Sequence, residues 1–88
     1  MAVYFVSYKI DEKHNDYDEL IDAIKEYDAG CRLFGNQWFL SSEGSAEEVQ
    51  EDLAQYLYEG DFILVMEIDE NYAGWLPERV VDWLEENI

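Results

Sequence analysis

Residues 2–10, AVYFVSYKI, open the chain with a nearly continuous run of β-branched and aromatic side chains. That composition predicts a central strand buried on both faces. A polar loop, DEKHN, follows at 11–15. From residue 16 the apolar positions Tyr17, Leu20, Ile21, Ile24 and Tyr27 recur at helical spacing, and Asp18, Glu19, Asp22 and Glu26 fall on the opposite side. Gly30 stands where such a helix would stop. Residues 31–34 and 37–41 flank Gly35-Asn36, a glycine-first pair that predicts a two-residue hairpin. Ser45, with Glu48 three positions on, is a capping box opening a second helix, with Ala46, Val49, Leu53, Tyr56 and Leu57 as its apolar stripe and Gly60 as its end. FILVMEI at 62–68 reads as a further strand. Pro77, suited to a first helical position, opens a tail helix at about 77–87 carrying Val80, Val81 and Leu84.

The resulting order is strand, helix, strand, strand, helix, strand, tail helix. This is the ferredoxin-like, split βαβ order of an α+β fold, in which one antiparallel sheet carries both main helices on one face. The tail, YAGWLPERVVDWL, is expected to cover a sheet edge or the open face, or to lie between two subunits. With 88 residues, one domain spanning 1–88 is expected.

Charge changes the picture more than composition does. Hydrophobic residues at 49% are too many for a disordered chain, yet 22 acids against five Lys and Arg leave a net charge of -17. The apolar stripes of both helices must face the sheet, so their acids must point outward and share one surface. The expected set is Asp18, Asp22 and Glu26 from the first helix with Glu47, Glu48, Glu51, Asp52 and Glu59 from the second, and Lys25 is the lone base among them. Glu47/Glu51 and Glu48/Asp52 are like-charged pairs four apart, each unfavourable by a few tenths of a kcal/mol. A helix row places such carboxylates about 6 Å apart along the axis. A DNA duplex carries one charge per roughly 1.7 Å, so two rows or a dimer are needed to approach its field.

This excess opposes direct binding to nucleic acid or to an anionic membrane and favours a basic partner. The functional reading is a nucleic-acid mimic that occupies the basic groove of a nuclease, restriction or CRISPR complex. A halophile's solvated surface would carry the same excess. No apolar run approaches the roughly 18 residues of a membrane span, and MAVYFVSYK has neither a basic leader nor a cleavage site, so a cytosolic location is expected.

Candidate chemistry is sparse. His14, within the loop 11–18, lies among the densest set of oxygen and nitrogen donors, but the spacing does not match a calcium loop. Cys31, the only cysteine, cannot form an internal disulfide, and with Arg32 as the one base beside it a packing role is expected. Ser41 and Ser42 lie in no nucleophile elbow. Trp38, Trp75 and Trp83 have no interleaved bases for phosphates, so they read as core and interface residues rather than base-stacking platforms. No catalytic residue, metal or cofactor is expected.

VYFVSYK at the start, CRLFGNQWFLSS in the middle, DFILVMEI as the last strand and GWLPERVVDWLEEN at the end resemble the small CRISPR-adaptation endonuclease subunit family and its stand-alone relatives, over nearly the whole chain. The resemblance implies a ferredoxin-like homodimer. In nuclease-active members of that family an aspartate at the end of the first strand, after a tyrosine, helps bind a divalent metal at the dimer axis. Here the tyrosine is Tyr8 and the next residue is Lys9, whose own charge repels a metal. The catalytic site is therefore expected to be absent, and Asp11 could replace it only with a shifted strand register. The family's basic surface is missing as well. The expectation is a non-catalytic inhibitor or regulator of anti-CRISPR or anti-restriction type, and the alternative is a metal-dependent endonuclease using Asp11.

Overall fold

The structure is a computed structural model that describes residues 1–11 and 17–88. Along the chain the elements are β1 (Ala2–Lys9), α1 (Asp18–Lys25), β2 (Ala29–Arg32), β3 (Gln37–Ser42), α2 (Ala46–Ala54), β4 (Phe62–Ile68) and α3 (Glu78–Asn87). The strands form one antiparallel sheet of order β2-β3-β1-β4, the ferredoxin-like arrangement. β1 is central, as its unbroken apolar run requires: Val6 lies opposite Trp38 of β3 on one side and Val65 of β4 on the other.

Strand alternation divides the side chains between two layers. Tyr4, Val6 and Tyr8 of β1 join Trp38, Leu40 and the stripes of α1 and α2, with Leu20, Ile24 and Leu53 fully buried. Val3 and Phe39 face the other way, where α3 seals them with Val80 and Leu84. Of the three places expected for the tail helix, it takes the open sheet face. Phe39 stacks on Trp83 at 6.5 Å between ring centroids and packs tilted against Phe5 at 5.5 Å.

Local chemistry explains the element ends. The Ser45 hydroxyl accepts from the Glu48 N–H and the Glu48 carboxylate accepts from the Ser45 N–H, so the capping box forms as expected. A hairpin forms, but β2 ends at Arg32 rather than at residue 34, so residues 33–36 connect the strands instead of the expected two: the Gln37 N–H donates to the Phe34 carbonyl at 2.6 Å around Gly35, at φ +37. Two glycines behave differently from the expectation. α1 stops at Lys25, and Gly30 lies inside β2, since residues 29–32 gain pairing with 38–41 that a longer helix would forfeit. α2 stops at Ala54. There the Gln55 side chain folds back onto the Asp52 carbonyl, and Tyr56 and Leu57 donate to carbonyls three residues back, a tightening that ends the helix before Gly60. Gly60, at φ +94, instead serves the turn in which the Asp61 N–H reaches the Tyr58 carbonyl. Pro77 caps α3 from just outside rather than occupying its first position.

Asp61 ties three segments together. Its carboxylate accepts from the Asp11 N–H at 2.7 Å, the Tyr58 N–H at 2.8 Å and the Tyr17 hydroxyl at 3.1 Å. The end of β1, the start of α1 and the approach to β4 are joined through one side chain.

Candidate acidic docking face

Both α1 and α2 bury their apolar residues in the same core layer, so their acidic sides emerge on one side of the sheet. Asp18, Asp22, Glu26, Glu47, Glu48, Glu51, Asp52 and Glu59 are all exposed. Glu59 belongs to the turn beyond α2 rather than to the helix. The remaining α2 acids keep the spacing read from the sequence, with Glu47 and Glu48 in the first turn.

The two helices meet over a cleft of about 410 Å³ flanked by Glu26, Glu48 and Asp52. Tyr27 joins its walls: the phenol donates to the Asp52 carboxylate at 2.7 Å. Burial first, and then this bond to a carboxylate, push the Tyr27 hydroxyl well above its ordinary titration range. The Tyr4 hydroxyl donates to the carbonyl of Gly44, which lines the cleft, at 2.6 Å, and burial, with the charges of Glu67 and Glu48, raises its pKa too. Asp52 also accepts from the Gln55 amide, and Glu48 is engaged in the capping box, so these two carboxylates are held in fixed directions.

The described bases do little to interrupt the face. Lys25, in the last turn of α1, is the exception anticipated from the sequence. Lys9 ends β1 on the opposite side of the sheet. The Arg32 guanidinium lies 5.1 Å from the Trp38 ring centre and its Nε donates to the Gly35 carbonyl. Arg79 donates to the Arg32 carbonyl at 2.7 Å and reaches the Cys31 sulfur at 3.3 Å. Arg79 is thus a base in contact with Cys31, a neighbour 48 positions away that chain spacing could not disclose.

Other sequence candidates are placed differently. Asp11 lies beyond the end of β1, with its N–H bound to Asp61, and the strand closes at Lys9, one residue short of the expected Ile10. His14 lies outside the described residues. Among the described residues, no group of three or more His, Cys, Asp or Glu is arranged to hold a metal ion. No helix among them is long and apolar enough to cross a membrane. Two features had no clear sequence signal: the Tyr27–Asp52 bond, which depends on how the helices are rotated, and a row of exposed apolar side chains on β4.

Comparison of the chain with protein-family models, with curated proteins and with solved structures finds no match.

Proposed function

We propose that this protein is a non-catalytic, acidic interaction protein, a nucleic-acid-mimicking inhibitor or regulator of the anti-CRISPR or anti-restriction type. Its α1–α2 face docks on a basic nucleic-acid-binding protein or nuclease complex. The observation that carries the reading is the emergence of the exposed carboxylates of α1 and α2, with Glu26 at the end of α1, on one side of the sheet. A net charge of -17 on 88 residues, against the roughly 2 to 8 usual for a small domain, supports it. The cleft between the helices offers a recess where an arginine or lysine of the partner would meet Glu26, Glu48 and Asp52. The homodimer implied by the resemblance belongs to the same reading, since two copies present four acidic rows and approach the field of a duplex more closely.

The experiment is capture of bacterial lysate proteins on the immobilised chain, followed by elution with duplex DNA. Elution of an identified nuclease or defence complex is the expected outcome, because the two ligands compete for one basic groove. Asp22→Lys with Glu47→Lys and Glu51→Lys should abolish capture with the fold intact by circular dichroism; these positions spare the Asp52 bonds to Tyr27 and Gln55. Capture that survives the triple change would refute docking through this face. Magnesium-dependent cleavage that vanishes in Asp11→Asn would replace the reading with the endonuclease.

A further inference from the structure

The two edges of the sheet differ. β2 is four residues long, and Arg79 donates to the carbonyls of Arg32 and Leu33 at its end. Short length and a covering cation are common ways of protecting an edge strand. β4 has neither. It runs seven residues without proline or lysine, and among the described residues no strand pairs with its outer side. On the sheet face that carries α3, Phe62, Leu64 and Met66 line up opposite Lys9, Ser7 and Phe5. They are 66, 51 and 46% exposed. α3 covers Val3 and Phe39 but leaves this row open.

The other side of β4 has different chemistry. Ile63 and Val65 pack inward, whereas Glu67 is exposed on the helix side, where its charge and that of Glu48 both reach the Tyr4 hydroxyl. α2, with exposed Glu47, Glu51 and Asp52, packs against β4 on this side. A strand added beside β4 would therefore meet apolar side chains on one face and carboxylates on the other.

We propose that the free edge of β4 is a docking site for an extended segment of a partner protein in which apolar residues alternate with lysine or arginine. The segment pairs with β4 as a fifth strand, lays its apolar residues beside Phe62, Leu64 and Met66, and turns its cations toward Glu67 and the α2 carboxylates. Strand alternation supplies the match, since successive side chains point to opposite faces. Charge and area disfavour a second copy of this chain. Antiparallel pairing of two β4 edges about Val65 sets Asp61 opposite Asp69, and pairing about Leu64 sets Asp61 opposite Glu67; directly opposed like charges destabilise a pair. At about 200 Å² for a large side chain, the row exposes roughly 300 Å², well short of the roughly 800 Å² per partner of a stable interface. An added strand gains main-chain hydrogen bonds as well.

This site lies at the sheet edge and shares the α2 carboxylates, but none of those on α1, with the α1–α2 face. The probe is the heptapeptide acetyl-KVKVKVK-amide, matched to the seven residues of β4 and titrated into the isotope-labelled protein at 150 mM salt. Scrambled KKVVVKK, which breaks the alternation, and an analogue N-methylated at alternate residues serve as controls of equal charge. Expected are amide shifts and slowed hydrogen exchange centred on residues 62–68, with binding at least tenfold weaker for both controls. Leu64→Asp and Glu67→Lys should each weaken binding at least tenfold, and Asp22→Lys with Glu26→Lys, on the first helix, should leave it within twofold. Because the N-methyl analogue leaves the protein itself unchanged, its result does not depend on how a variant folds. Equal binding of the three peptides would overturn the proposal, as would shifts confined to residues 18–55. Protection of β4 that rises with protein concentration in the absence of peptide would assign the edge to a second copy and overturn it equally.

Discussion

Asp52 and Tyr27 show how one residue pair can belong both to the fold and to the acidic face. The phenol fixes one carboxylate oxygen, Gln55 takes the other, and the α1–α2 junction is held by side chains that also border the cleft. Tyr27→Phe removes one partly solvated hydrogen bond and should lower stability by about 1 kcal/mol in urea unfolding. The tyrosines also set an alkaline limit. Burial, followed by the bond to Asp61, pushes Tyr17 up to about 12, and Tyr27 and Tyr4 are raised in the same direction. Above pH 10 the unfolded chain loses phenolic protons that the native state retains, so native stability falls with rising pH. The contribution is fully present below pH 10 and is lost as pH climbs through about 12, so melting followed from pH 9 to 12 should decline most at the alkaline end. Tyr17→Phe with Tyr27→Phe should flatten that decline.

At the scale of elements, α2 accepts electrostatic cost along its exposed side. Glu47 and Glu51 repel one another, and the last turn holds no base to complement the helix dipole. Glu51→Lys turns the repulsion into an i,i+4 attraction in the favoured orientation and should stabilise the protein by roughly 0.3–0.5 kcal/mol in denaturant titration, while weakening capture of a basic partner. A gain in stability with a loss of binding is what separates a functional acidic row from a merely tolerated one. The α2 start and all of β4 were legible because their signals are local: a serine and a glutamate three apart, and an apolar run ended by acids. The ends of α1 and α2 were not, because the glycine that offers a stop to each helix is not the residue that ends it. Strand pairing claimed Gly30, and the Gln55 side chain closed α2 early. The shared acidic surface could be inferred since both helices must bury their stripes on one sheet. The cleft depends on helix rotation, which periodicity does not encode. The open row on β4 was hidden for another reason: an unbroken apolar strand reads alike whether its second face is covered or bare.

For the whole molecule, the net charge of -17 acts against compaction at any distance within the screening length. That length shrinks from about 30 Å at 0.01 M salt to about 8 Å at 0.15 M. The melting temperature should therefore rise over this interval and level off beyond it, and a flat profile in calorimetry would show that the acids are already compensated. The layered design also makes α3 a separable contributor. Leu84 is fully buried between α3 and the sheet, so Leu84→Ala should cost about 2–5 kcal/mol. The placement of the three tryptophans makes that change visible without a label. Trp38 is sealed in the layer beneath α1 and α2, Trp83 lies on Phe39 in the layer beneath α3, and Trp75 stands wholly in solvent. Their fluorescence is therefore a three-channel record of the molecule: Trp75 is quenched by acrylamide from the outset, Trp83 becomes accessible when α3 lifts, and Trp38 becomes accessible only when the sheet and its two helices come apart.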